Sequence, residues 1–173
     1  GLIAVLQAFQ VDQIWWNGRE MGTETFQEFM SLAKAEPGAA LYQAQRGGVI
    51  TAGRLVFDIL NPPSPFLEDA DEENNNSIVL RLRYEQVAFL FTGDAEAEAE
   101  ADILAAGLEV RAAILKVGHH GSRSSSSAAF LAAVAPEVAV YMAGEGNWYG
   151  HPHPETIAAL SALGAAVYGT DKN

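Results

Sequence analysis

The chain has 173 residues, 49% hydrophobic and 18% charged, a composition that belongs to a folded globular domain and excludes a disordered one. Its formal net charge of −12 excludes a general electrostatic attraction to phosphate backbones. Cysteine is absent, which excludes disulfides, thiolate ligands and a cysteine nucleophile, and leaves His, Asp, Glu or Asn to hold any metal.

Leu2 to Phe9 reads as a short apolar helix with no cap residue before it. It is far shorter than the roughly 18 residues of a membrane span, and no basic start leads into it as in a signal peptide. Val11 to Trp16 reads as a strand with Ile14 and Trp16 on one face, stopped by Asn17-Gly18. Thr23 or Thr25 opens a helix to about Lys34, with Phe26, Phe29, Met30 and Ala33 at helical spacing. Thr25 with Glu28 matches a capping box, and Thr23 is an equally good cap. Ala40 to Gln43 is a weak strand, and Gly47 to Thr51 with Arg54 to Leu60 reads as a hairpin turned at Ala52-Gly53. Asn61 to Asn76, about 16 residues, is an acidic, Pro-rich loop of a length often used for a lid. Ser77 to Tyr84 alternates, with Ile78, Leu80 and Leu82 on one face, and turns at Glu85-Gln86 into Val87 to Phe91 as a second hairpin.

Past Asp94 the pattern changes. Ala95 to Leu104 alternates Ala and Glu with period two, yet both are strong helix formers and poor strand formers, so a helix is expected, closed near Gly107. Ala112 to Val117 is a strand, Ser126 to Val134 a helix, Val138 to Met142 a strand, Pro154 to Leu163 a helix and Ala166 to Tyr168 a last strand. A β-rich half followed by a βαβαβ half predicts one α/β domain over 1–173 with a mixed sheet. Two acidic clusters, Glu68-Asp69-Asp71-Glu72-Glu73 and Asp94-Glu96-Glu98-Glu100-Asp102, supply 10 of the 22 acidic residues and read as solvated surface. Carboxylates early in the second cluster also suit the positive end of a helix dipole.

Three strand-like runs end in polar loops: Thr92-Gly93-Asp94, Gly118-His119-His120-Gly121-Ser122, and Gly150-His151-Pro152-His153-Pro154. In open α/β sheets a ligand sits outside the carboxyl ends of the strands. All 4 histidines of the chain lie in two of these loops. Gly118 and Gly121 allow close backbone approach, and the prolines fix the aim of the imidazoles. The donor types point to a metal or acid/base site, with zinc, manganese or iron as candidates. Ser122, Ser124, Ser125 and Asn147 are candidate substrate contacts. Ser122 is not in a Gly-x-Ser-x-Gly elbow, which argues against a serine hydrolase.

Asn74-Asn75-Asn76-Ser77-Ile78-Val79-Leu80, Phe91-Thr92-Gly93-Asp94, Leu115-Lys116-Val117-Gly118-His119-His120-Gly121-Ser122 and Tyr149-Gly150-His151-Pro152-His153-Pro154 together resemble the metallo-β-lactamase-like domain of the bacterial competence protein ComEC. The resemblance covers nearly the whole chain. It implies an αββα sandwich, here incomplete, with mixed sheets and flanking helices. It also implies two divalent metals per complete domain, manganese or zinc, and an extracytoplasmic position on a membrane channel. The implied activity is nuclease action on a DNA single strand. Asp94 corresponds to the aspartate that bridges the metals. His119 or His120, and His151 likewise, correspond to metal-binding or acid/base histidines, and the sequence leaves that division open. The set carried forward is Asp94, His119 and His151 for metal, His120 and His153 for catalysis, and Asn76, Ser122 and Asn147 for substrate. The superfamily's His-x-His-x-Asp-His cluster, which precedes a Gly-Gly-Leu in relatives, is missing before Gly1-Leu2. The expectation is therefore a fragment without the first strands and most metal ligands, which binds metal weakly. Asn74 to Asn76 stand where many members carry a histidine. Two other readings stay open: a non-catalytic module that guides DNA, and a small-molecule metallohydrolase such as a lactonase or thioesterase.

Overall fold

Alternating apolar residues between turn-forming pairs make the strands of this protein, and runs rich in Ala, Leu and Glu make its helices, in a computed structural model that describes residues 2–68 and 72–172. Asp69 and Asp71 of the first acidic cluster lie outside the described residues. The chain folds as two compact units, Gly1–Ala44 and Gln45–Asn173. No helix among the described residues is long and apolar enough to cross a membrane.

In the first unit, α1 (Leu2–Ala8) buries none of its residues. Strand β1 (Gln13–Trp16) pairs in parallel with β2 (Ala40–Gln43), and Trp15 stacks on Tyr42 with centroids 4.6 Å apart. Between them runs α2 (Glu24–Ala35). Thr23 is its cap, with Oγ1 accepting from the Phe26 amide at 3.3 Å, so the capping box at Thr25 is not used. Met30 and Ala33 are the fully buried members of its apolar stripe.

The second unit is a seven-stranded sheet in the order β3 (Val49–Ala52), β4 (Leu55–Asn61), β5 (Val79–Tyr84), β6 (Val87–Phe91), β7 (Ile114–Lys116), β8 (Val138–Tyr141), β9 (Ala166–Gly169). Pairs from β3 to β6 are antiparallel, and pairs from β6 to β9 are parallel. This is the mixed sheet expected from hairpins followed by βαβ units. Leu90, Leu115, Ala139 and Val167 lie side by side across the parallel strands. The first three are fully buried, and the helices α4 (Ala97–Ala105), α5 (Ala128–Val134) and α6 (Pro154–Ala162) complete this core with Ala99, Ile103, Phe130, Leu131, Val134 and Leu160. On the opposite face Phe57, Leu82, Phe89 and Ile114 form a parallel row that is only partly buried. The architecture is α/β, with a multi-strand mixed sheet and flanking helices.

Four details differ from the sequence expectation. The first hairpin turns one residue later, with Ala52 opposite Leu55. The loop 61–76 is shortened at both ends, because Asn61 still belongs to β4 and a short helix α3 (Glu72–Asn75) forms before β5. In β5 it is Val79, not the Leu80–Leu82 face, that is fully buried, because the helices pack on the side Val79 faces. The second acidic cluster is not all solvated surface: Glu96 is 6% and Glu100 2% exposed. Both carboxylates turn inward because backbone and hydroxyl donors await them there.

Candidate functional site

Since β6, β7 and β8 are parallel, the loops after them leave one edge of the sheet together. After β6, Thr92 Oγ1 donates to the Lys116 carbonyl at 2.9 Å, and the Asp94 amide donates to Ser77 Oγ at 3.2 Å. Gly93 has φ +57°, and a Cβ there would lie 2.9 Å from the Ser77 Cβ, so this turn requires glycine. The Asp94 carboxylate is 41% exposed and stands 3.5 Å from His120 Nε2.

After β7 the backbone of His119 (φ 43°, ψ 48°) and His120 (φ 57°, ψ 18°) is left-handed at two successive non-glycine residues. Each such residue costs of the order of 1–3 kcal/mol and persists where the surroundings over-determine it, commonly at functional sites. Here the His119 amide donates to the Gly93 carbonyl at 3.2 Å, and the Ser122 amide donates to the His119 carbonyl at 2.8 Å. The first bond ties the turn to the Thr-Gly-Asp loop, and the second closes the turn on itself.

His119, His120 and His153 are each wired at Nδ1. His119 Nδ1 faces Glu96 Oε1 at 2.8 Å, and His120 Nδ1 faces the Met142 carbonyl at 2.6 Å. A ring nitrogen that faces an acceptor carries the proton, so both neutral rings present Nε2 as a lone pair. His153 is wired the other way: its Nδ1 accepts from the Arg123 amide at 3.1 Å, which leaves the proton of the neutral ring on Nε2. His151 completes the cluster, with ring centroids 5.6 Å from His119, 6.5 Å from His120 and 4.9 Å from His153. Partial burial holds the His151 imidazolium below the usual range first, the three neighbouring imidazoles add to this, and Asp94 opposes it.

All five expected Asp and His residues therefore meet at one place. The three expected substrate contacts are engaged differently. Asn76 is fully buried, and its amide clasps Leu67, accepting from the Leu67 amide at 3.0 Å and donating to its carbonyl at 2.9 Å. That is the bonding of a loop clasp, not of a group open to substrate. Asn147 braces the His151 loop, accepting from the His151 amide at 3.0 Å and donating to the carbonyls of Gly144 at 2.9 Å and His151 at 2.5 Å. Ser122 is 6% exposed, with its Oγ 2.8 Å from that of Ser124.

Two residues escaped the sequence reading. Glu96 takes His119 Nδ1 and a 2.7 Å bond from Ser124 Oγ on the same oxygen. Lys116 sends its ammonium to the carbonyls of Gly93 at 3.1 Å and Val117 at 3.3 Å, beside Asp94. Burial lowers the Lys116 pKa and the nearby Asp94 charge counters this. Glu96 stands just before the first helical residue, and no local signal in the Ala-Glu run marks it as the carboxylate that turns inward.

The donor chemistry fits a divalent ion, since Asp94 offers a carboxylate and His119 and His120 offer Nε2 lone pairs aligned by partners at Nδ1. Among the described residues, no three His, Asp or Glu side chains are gathered around one point closely enough to hold a metal ion.

No family model matches the chain. It is 34% identical over 151 residues to ComE operon protein 3 of Bacillus subtilis (strain 168), covering 87% of this chain and 19% of that protein. It is 38% identical over 101 residues to Competence protein ComA of Neisseria gonorrhoeae, covering 58% of this chain and 15% of that protein. Recombination protein 2 of Haemophilus influenzae is 36% identical over 126 residues, covering 69% of this chain and 15% of that protein. The chain thus spans less than a fifth of the length of these relatives. Among solved structures, CmlA, a diiron beta-hydroxylase from Streptomyces venezuelae, superposes with a TM-score of 0.51 at 12% identity, covering 82% of this chain and 35% of that one. That likeness speaks to the fold alone.

Proposed function

The chain belongs to the ComEC competence family, and from that premise we propose that it is the hydrolytic domain of a DNA-uptake membrane protein, a metal-dependent phosphodiesterase that degrades the strand not transported. The observation that supports this reading is the meeting of Asp94 with four histidines at the carboxyl ends of parallel strands, with opposed wiring of their rings.

In this reading the 173 residues are one metallo-β-lactamase-like domain, placed outside the cytoplasmic membrane beside a channel. Asp94, His119 and His151 would each contribute a donor to a divalent ion, manganese or zinc, although the three are not gathered around one point in this structure, and the ion when bound would supply Lewis acidity at a phosphoryl oxygen. Glu96 keeps His119 in the tautomer that presents Nε2. His120, anchored through Nδ1 at the Met142 carbonyl, turns Nε2 toward Asp94 at 3.5 Å, where it would take up or release a proton as a general acid/base. His153 presents Nε2–H and acts as a hydrogen-bond donor to a non-bridging phosphate oxygen. Ser122 and Asn147 act at one remove, by holding the loops that carry these rings.

The test is cleavage of single-stranded DNA by the intact protein with manganese or zinc, compared with Asp94→Ala. Loss of cleavage in the variant is expected. Undiminished, metal-independent cleavage by Asp94→Ala would overturn the mechanism, and turnover of lactones or thioesters with none of DNA would overturn the substrate class.

A further inference from the structure

Trp148 is wholly exposed and Tyr149 is 79% exposed, directly before His151. Tryptophan is on average among the more buried residues, since its large apolar surface gains most from leaving water. Here the exposure is enforced. Asn147 bonds to Gly144 and to both backbone groups of His151, and the Gly150 amide donates to the Asn147 carbonyl at 3.2 Å, so the loop is laced on both sides of the two aromatic residues. The Tyr149 ring lies nearly parallel to that of His151, at 20° and 5.8 Å between centroids. Tyr149 thus extends the histidine cluster outward as a stack of flat rings, with Trp148 beside it.

We propose that Trp148 and Tyr149 form a base-stacking platform that seats a single-stranded nucleic acid against the histidine cluster. This deepens the phosphodiesterase reading and rests on it for the class of polymer. Charge favours it. A chain of net charge −12 gains little from phosphate neutralisation, and Arg46, Arg54 and Arg83 are already tied to Asp102, Glu85 and Asp58. The bases offer affinity that does not depend on the net charge, since their faces stack on aromatic rings without regard to sequence. Stacked base pairs in a duplex do not offer those faces, so the platform selects unpaired strands and frayed ends. Exposed Trp and Tyr also occur at membrane interfaces, but the Tyr149 ring continues onto His151 of the histidine cluster, which favours a partner that reaches that cluster over a lipid surface.

The experiment is an anisotropy titration of the full chain, with chelator present, against a labelled oligothymidylate and an abasic strand of equal length. Native chain is expected to bind the base-bearing strand about tenfold tighter than the abasic one, a preference lost in Trp148→Ala and largely kept in Trp148→Phe. Equal affinity for the two strands, or an unchanged preference in Trp148→Ala, overturns the platform. So does Trp148-dependent binding to phosphatidylcholine vesicles without binding to the oligonucleotide. Base-dependent binding through Trp148 in a protein that cleaves nothing would sustain the platform and overturn the hydrolase reading.

Discussion

At Glu96 one buried carboxylate oxygen faces His119 Nδ1 and accepts the hydroxyl of Ser124 and, more weakly, the amide of Asn74 at 3.4 Å. Removing it leaves buried donors without an acceptor and frees the His119 ring to rotate. Glu96→Ala is expected to lower stability by about 1–3 kcal/mol, the desolvation cost of orphaned donors, as read from urea melts. DNA cleavage should fall by about 10–100-fold, the usual loss when the partner of a ligand histidine is deleted. Glu96→Gln keeps an acceptor oxygen and should recover most of the stability. The histidines themselves were legible in the sequence because an adjacent pair between glycines and a His-Pro-His-Pro string have little other use. Glu96 was not, because nothing in an Ala-Glu run distinguishes the carboxylate that turns inward from those that turn to water.

At the scale of elements, the site depends on how helices are stopped and started. Ala135, exposed at the end of α5, has φ 47° and ψ 57°, a left-handed cap that closes on the Leu131 carbonyl and lets the chain turn into β8. Such caps favour glycine because a Cβ is strained there. Ala135→Gly is expected to raise stability by about 0.5–1 kcal/mol, visible as a higher melting temperature with the histidine loops unchanged. The His-bearing turns are held in the opposite sense. A Cβ on Gly121, whose φ is +87°, would approach the Pro152 Cβ to 2.7 Å, so the two histidine loops fit together only because that position is bare. The pairing of these loops joins segments far apart in the chain, Gly121 with Pro152 and Arg123 with His153, and no local pattern announces it.

For the whole molecule, pH acts through both the net charge and one buried acid. Glu100 accepts from the amides of Ser126 at 2.5 Å and Ser127 at 2.8 Å, which joins α4 to the start of α5. Burial raises its pKa, and the bonds from Ser127 and Ser126 offset this in part. The folded state therefore holds this proton more tightly than the unfolded state. The resulting stability is fully present below the unfolded carboxyl pKa, about 4.3, and is lost as pH rises through the raised folded value. Glu100→Gln cannot titrate and, with one acceptor oxygen in place of two, starts less stable. The gap between native and Glu100→Gln chains, measured by urea melts across a pH series, is expected to narrow as pH rises. A gap that widened would show that the carboxylate form is the better tolerated one.

The order of strands and helices was decided locally, by alternation in Val79–Tyr84, by helix formers in the Ala-Glu run and by glycines after helix ends, and it alone implied a mixed sheet with its ligand edge at three strand ends. The residue types at those ends pointed to metal or acid/base chemistry. Tertiary structure decided what each group does there. It buried Glu96 and Glu100, committed Asn76 to Leu67, and set His153 opposite to His119 and His120 by the partner each Nδ1 meets. The reason is physical. Periodicity and capping act within a few residues of the chain, whereas a tautomer, a buried charge or a clasp depends on a hydrogen-bonding partner that only folding brings alongside.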